Sequence, residues 1–470
     1  MVHFDPDQFS TQSLRSSTHG GRVERILAAA INAVDPGFAV RYHLHYDQDF
    51  LIAGSKRYDL KEFQRVFLIG FGKASVPMAQ ATVEILGDTI TQGILVTKSI
   101  HSAFPITNSQ FTILKGSHPI PDQSCLDAAQ QIVGLLSTTS KKDLMICLIS
   151  GGGSALLTLP VPGITLEDLR TFTESLLACG ANINEINCLR KHLSQIKGGQ
   201  LARLAAPAQV LTLILSDVIG DPLDVIASGP TVPDPTTFSD ALGILAKYSL
   251  LNQIPTSISN HLKSGAYGEI PETPKPGALI FENVQNMIIG NNLQAAQAAI
   301  NQAKREAFNT HLLTTSLQGE ARNVGQALAE IVKEVVTAAK PIQRPACIIA
   351  GGETTVTLFS PSSLMGRKGN GEVYKGGRNQ ELALAAVRDL AGLKDVMLVT
   401  LSTDGEDGPT DAAGAVVTGG TLYRAQSLGI NPDDFLARND SYHFFDSLGD
   451  LLKIGSTQTN VNDLSFLFAF

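Results

Sequence analysis

Two basic residues stand where glycine turns follow or precede regular elements: Lys73 in RVFLIGFGKAS (65–75) and Arg378 in KGGRNQELAL (375–384). A lysine in such a turn offers a compact cation to a phosphate or carboxylate, whereas an arginine offers a planar fork that grips two oxygens at once. In LMICLISGGGSALL the successive Gly151, Gly152 and Gly153, with Ser154, allow backbone N–H groups to approach an anion closely. CLRKHLSQIKGGQLA adds Lys191 and Lys197, and Asn379 beside Arg378 adds an amide. The acids follow apolar runs: Asp217 after VLTLILS, Glu353 after ACIIAGG, and Asp404 and Asp407 after VMLVTLS. Carboxylates so placed hold Mg²⁺ with a substrate phosphate or accept a proton from an attacking hydroxyl. Anion cradles, cations and metal-suited acids together describe phosphoryl transfer, which needs positioning and charge neutralisation more than covalent chemistry.

Each motif has a plainer reading: a tight strand-to-helix turn at Gly151, a solvated lysine at Lys73, cations offsetting a helix dipole around Lys191, and a turn or helix-capping aspartate at Asp217. The GFGKAS turn also resembles a dinucleotide fingerprint, but Ser75 stands at the third glycine and the next strand, GILVTK, ends in Lys98 rather than an acid. A lysine-bearing P-loop occurs nowhere in the chain.

The elements that must position these residues are short apolar runs alternating with amphipathic stretches, which is the pattern of β-α units. RVFLIG, GILVTK, FTILKG, LMICLIS and VLTLILS are the strands expected in the first half; ALIFE, NMIIG, HLLTTS, ACIIAGG and VMLVTLS are those in the second. Proline-rich segments at 228–238 and 264–278 place a boundary near residue 265. The expectation is an α/β protein of two domains, 1–265 and 266–470, each a mostly parallel sheet flanked by helices. With 470 residues, 43% of them hydrophobic and 17% charged, the chain is long enough for two cores and contains no apolar run long enough to span a membrane. A formal charge of -8 gives no bulk attraction to nucleic acid or anionic lipid. Five cysteines without a C-x-x-C pair, and a polar N-terminus, suggest a reduced, cytoplasmic protein.

The ordered set GFGKAS, GSHPIPDQ, SGGGSALL, KHLSQIKGG, LSDVIGDPLDVIASGPT, GGETTVTL, GGRNQE, STDGEDGPTDAAGA and NDSY closely resembles the class II glycerate 2-kinases, the MOFRL-containing glycerate kinase family. The resemblance runs from about residue 20 to about residue 465. It implies an ATP- and Mg²⁺-dependent kinase that makes 2-phosphoglycerate from D-glycerate in a cleft between two Rossmann-like domains. It also implies that Lys73 and Arg378 are the main catalytic cations; the residues themselves suggest Asp217 or Asp404 as proton acceptor or metal ligand. Two departures stand out: IGSTQTNV replaces the expected T-G-P-T-G-T-N-V, putting Ser456 and Gln458 where proline and glycine are expected, and the segment before Gly376 is long, bringing Tyr374 and Lys375 beside the arginine. The competing readings are an NAD(P)H-dependent hydroxypyruvate reductase and a non-catalytic sugar-acid or nucleotide sensor on the same scaffold. Dimerisation is left open.

Overall fold

The structure, a computed structural model, describes residues 3–98, 110–358 and 375–470; Tyr374 and most of the long glycine-rich loop lie outside the described residues. Contacts divide the chain into one unit, Pro36–Ile289, and a second formed by the residues before and after it.

The first unit carries a six-stranded sheet in the order β6-β5-β4-β7-β8-β9. Its strands are β4 (Arg65–Phe71), β5 (Ile90–Thr97), β6 (Phe111–Lys115), β7 (Asp143–Ile149), β8 (Gln209–Leu215) and β9 (Val284–Gly290). The β4–β5, β4–β7, β5–β6 and β7–β8 pairings are all parallel. Every residue of β7 is buried, which explains why LMICLI reads as a continuous apolar run. Helices such as Gln123–Leu136, capped by the Asp122 carboxylate, cover the sheet and complete the core with Phe67, Ile69, Met145 and Ile149. A small antiparallel sheet, β1 (Leu44–Asp47), β2 (Phe50–Ala53) and β3 (Lys56–Asp59), precedes it.

In the second unit β10 (Asn309–Leu317), β11 (Ala346–Gly352), β12 (Val396–Ser402), β13 (Gly414–Thr418), β14 (Leu451–Leu452) and β15 (Asp463–Ala469) pair in the order β10-β11-β15-β12-β13-β14. Only the β10–β11 pairing is parallel. The C-terminal strand β15 inserts antiparallel between β11 and β12, so the expected mostly parallel pairing fails here, although β10, β11 and β12 still share a direction. As a result the ends of β11 and β12 and the start of β15 meet at one edge.

The division also differs from the expected boundary near 265. NMIIG is the edge strand β9 of the first sheet, and ALIFE is a 3₁₀ turn, Leu279–Asn283. The N-terminal helix Gly20–Asn32 packs on Asn292–Arg305 of the second unit. Arg22 lies 4.0 Å from the Phe308 ring centroid, and Arg25 pairs with Glu306 at 2.7 Å. No periodicity reports such a return. No described helix is long and apolar enough to cross a membrane.

Candidate active site

In the first sheet the chain steps from β4 outward through β5 and β6, then returns to β7 on the other side of β4. The β4 and β7 loops therefore flank a topological switch point, where open parallel sheets bind ligands. Lys73 sits in the β4 loop, and its backbone N–H donates to the Gly151 carbonyl at 2.9 Å. The Ala74 N–H donates to Ser150 Oγ at 3.0 Å. Gly72 (φ 125°) makes this closeness possible, since a Cβ there would lie 2.2 Å from Ser150 Oγ. Ser75 is fully buried, and its hydroxyl donates to the carbonyls of Gly72 (2.9 Å) and Val96 (3.1 Å). A hydroxyl thus occupies the place of a dinucleotide site's third glycine.

The helix expected after the triple glycine is a single turn, Gly153–Leu156, so no long helix dipole supports an anion there. The groups that an anion there would meet are the cations and polar side chains around the loop. A Cβ on Gly152 (φ 80°) would meet the His118 ring at 2.9 Å, which shows how closely the imidazole lies against the loop. Burial, then the charges of Lys73 and Lys98, lower the His118 pKa to about 4, so the ring is neutral at pH 7. Ser154 Oγ lies 3.0 Å from Ser228 Oγ. Lys197 is buried and donates to the carbonyls of Ser154 (2.5 Å) and Leu157 (3.3 Å); burial and then Arg190 lower its pKa to about 7. Its side chain thus lies beside the glycine loop, although the helix Ile183–His192 ends five residues before it. Lys191 does not: it is buried between Asp224 (3.3 Å) and Asp234 (3.4 Å), where it serves the fold. Asp217 follows β8, next to β7 in the sheet, and is half-buried. A cavity of about 810 Å³ opens beside this loop, lined by His118, Gly152, Ser154, Arg190 and Lys197 among others.

The second unit assembles a different cluster. Asp463 begins β15, paired in register with Gly352 at the end of β11 and with Ser402 at the end of β12. Arg378, the first residue of the helix Arg378–Leu390, donates from Nε and Nη2 to the two Asp463 oxygens (2.5 and 3.2 Å) and from Nη1 to Glu353 (2.6 Å). Burial lowers the guanidinium pKa, but Asp463, Glu353 and Asp407 more than reverse this and it is raised. Asp463 was not anticipated; the only signal is an acid at the head of the apolar run LSFLFAF.

Asp407, expected as a metal ligand, is instead a buried cap on the arginine helix. One oxygen accepts the Asn379 N–H (3.1 Å), the other the Gln380 N–H (2.8 Å). Burial and then the Asp463 charge raise its pKa to about 7 despite these donors. Asn379, expected to touch a ligand, is buried and turns its amide to Asp407 at 3.3 Å. Gly377 packs so tightly that a Cβ would lie 2.3 Å from Asp407 Cγ. NDSY supports the same turn: Asp440 accepts the Lys375 N–H (3.0 Å), and Asn439 donates to the buried Glu381 (2.9 Å), which also takes Arg322 (2.5 Å). Asp404 is half-buried, its Oδ1 accepting from Ser402 Oγ (2.8 Å) and the Glu406 N–H (3.1 Å). The IGSTQTNV loop packs behind it, with Thr457 donating to the Thr403 carbonyl at 2.6 Å.

Among the described residues, no three His, Cys, Asp or Glu side chains form a ready metal cage. A magnesium ion carried by nucleotide phosphates keeps several waters and needs only one or two carboxylates, and the half-buried Asp217 and Asp404 fit that need better than the capping Asp407.

The fold and these loops define an α/β protein with basic, acidic and glycine-rich loops at its strand ends. The sequence family described as "Domain of unknown function (DUF4147)" matches residues 22–263, and the MOFRL family matches residues 346–463. The chain is 44% identical over 400 residues to the D-glycerate 2-kinase of Thermotoga maritima, covering 85% of this chain and 89% of that protein. It is 39% identical over 440 residues to the glycerate 2-kinase of Pyrococcus horikoshii, covering 94% and 95%. The crystal structure of the glycerate kinase of Thermotoga maritima superimposes with a TM-score of 0.81 at 40% identity, covering 95% of this chain and 98% of that one. The chain belongs to the glycerate 2-kinase family.

Proposed function

We propose that the protein transfers the γ-phosphoryl group of ATP to the 2-hydroxyl of D-glycerate, giving 2-phosphoglycerate and ADP. The observation that carries this reading is the hydrogen bond from the Lys73 N–H to Gly151. It fixes a lysine turn against a glycine loop at the switch point of a parallel sheet, as a phosphate-handling site requires.

In the reaction the hydroxyl oxygen bonds to the γ-phosphorus while the bond to the bridging oxygen of ADP breaks, and the hydroxyl proton passes to a carboxylate. Asp217 and Asp404 are the candidates for that acceptor. Lys73 and Arg378 neutralise the charge that spreads over the transferred group. Three of the five Arg378 N–H donors already hold Asp463 and Glu353, leaving two for phosphoryl oxygens. The Gly151–Gly153 loop, Ser154 and Lys197 hold the nucleotide phosphates, and Glu353 fixes Arg378 rather than touching the nucleotide. Mg²⁺, held with the phosphates by Asp217 or Asp404, would supply further charge neutralisation. The buried Ser75 hydroxyl and the Lys98 that follows β5 argue against the reductase reading.

The test is steady-state release of ADP from Mg-ATP. Release that depends on D-glycerate, with no oxidation of NADH or NADPH by hydroxypyruvate, is expected. Nicotinamide oxidation without ADP release contradicts the proposal, and tight ligand binding without either turnover would make the protein a sensor.

A further inference from the structure

Asn292 is the first residue of the helix Asn292–Arg305 and is only 8% exposed. Capping of that helix falls to its neighbour, because the side-chain oxygen of Asn291 accepts the Gln294 N–H at 2.9 Å. The Asn292 amide is thus left to bond outside the helix. Its Nδ2 donates to the carbonyls of Val461 (2.9 Å) and Asp463 (3.0 Å), on either side of Asn462 at the entry to β15. A carbonyl can only accept, so these two bonds fix which end of the amide faces the strand. Thr403 holds the residues between: its hydroxyl donates to the Asn462 carbonyl at 2.6 Å and accepts the Val461 N–H at 2.9 Å. Asn462 itself takes φ 67°, a left-handed conformation that persists away from glycine when the surroundings over-determine it.

The other end of the amide carries a cost. Its Oδ1 is buried without a hydrogen-bond partner among the described residues, and a Cβ on Gly351 would lie 1.8 Å from it. An apolar side chain of the same shape would avoid that unpaired oxygen, so what the amide contributes is its pair of N–H bonds. One of them holds Asp463, the residue whose two carboxylate oxygens take Arg378 at 2.5 and 3.2 Å. Asp463 is also the first residue of β15 to pair with β11 and β12, so no earlier rung of either ladder steadies it.

We propose that Asn292 is a positioning residue for the reaction: by holding the Asp463 backbone it sets where the Asp463 carboxylate stands, and through that carboxylate the aim of the Arg378 fork. The inference rests on the reading of Arg378 as a cation that neutralises the transferred phosphoryl group. Misplacing such a group by about 1 Å costs on the order of 10²-fold in rate.

The test is Asn292→Ala made in the wild-type chain and again in Arg378→Lys, with kcat, KM and Tm measured for each. In the wild-type chain kcat should fall about 10- to 100-fold, while the KM values for ATP and D-glycerate stay within about threefold. In Arg378→Lys the same substitution should change kcat by no more than about threefold, since a lysine has no fork to aim and coupled residues do not add. Tm should fall equally in both. Equal fractional losses of kcat in the two backgrounds would make Asn292 merely structural and overturn the proposal, as would an unchanged kcat in the wild-type chain. Asn292→Ser, a smaller cut with the same expectations, serves if the alanine variant does not fold.

Nitrogen-15 NMR of the arginine side chains tests the geometry apart from turnover. The Arg378 Nε–H resonance, identified by its loss in Arg378→Lys, should shift and exchange faster with solvent in Asn292→Ala; an unchanged resonance would overturn the proposal whatever the rates. A shifted resonance combined with a loss of less than about tenfold in Arg378→Lys itself would refute the catalytic reading of Arg378 and leave the hold of Asn292 on the Asp463–Arg378 pair standing.

Discussion

Arg378 holds both carboxylate oxygens of Asp463, at 2.5 and 3.2 Å, with the acid supplied by the C-terminal strand that lies between β11 and β12. The fork is thereby aimed before any substrate arrives. A lysine can neutralise Asp463 but cannot span both oxygens and still reach Glu353. Arg378→Lys should therefore fold and lose kcat by about 10²- to 10³-fold, the scale on which a transition-state donor is missed. A loss of less than about tenfold in steady-state assays would remove Arg378 from the chemistry.

Asp463→Ala removes two of the three hydrogen bonds that the partly buried guanidinium donates, leaving the one to Glu353. Breaking a buried charge pair costs about 3–5 kcal/mol, and the partial exposure of Arg378 puts the expectation at the lower end. Urea unfolding should show it; a change within about 0.5 kcal/mol would mean that the pair contributes nothing to the fold.

Lys73 holds its loop through its backbone N–H, a bond that a change of side chain leaves in place. Lys73→Gln keeps the N–H bond to Gly151 and removes the charge. The expected result is a fall in kcat of about 10³-fold or more, by analogy with other phosphoryl-neutralising cations, at a nearly unchanged Tm. An active variant, or one inactive only because it is unfolded, would withdraw the assignment.

Asp407 sets a pH dependence. Its folded pKa of about 7 lies above the ordinary 3.8, so between these values the unfolded chain has released a proton that the folded chain retains. The contribution of Asp407 to stability should fall as pH rises through this window and level off above it. Relative to the wild type, Asp407→Asn should lose less stability, or gain more, between pH 5 and pH 8; Asp463, raised chiefly by burial, still adds to the decline, while His118 and Lys197, both lowered chiefly by burial, oppose it in either protein. Chemical denaturation at pH 5 and pH 8 decides; a variant as steep as the wild type would show the slope to lie elsewhere.

Much of the first sheet was legible in the sequence because parallel buried strands announce themselves as apolar runs, and the loops that follow them carry Lys73, Gly151 and Asp217. Two kinds of feature were not. β15 could not be placed, since nothing local in DLSFLFAF says that it inserts antiparallel, and so Asp463 was missed. Residue type also could not separate binding from support: Lys191, Asn379 and Asp407 have the right chemistry but are consumed by Asp224, Asp234 and the arginine helix.

Gln458 adopts φ 60°, the left-handed region that favours glycine, at the position where the resemblance leads one to expect glycine. Gln458→Gly should stabilise the protein by about 1 kcal/mol by relieving that conformation. Equal or lower stability would show that the glutamine side chain compensates.

The central claim is tested most directly by phosphorus NMR of the purified protein with Mg-ATP and D-glycerate, because 2- and 3-phosphoglycerate give distinct signals. The account predicts a growing 2-phosphoglycerate resonance matched by ADP. A 3-phosphoglycerate signal, or no phosphorylated acid from folded protein with several divalent metals tried, would contradict it.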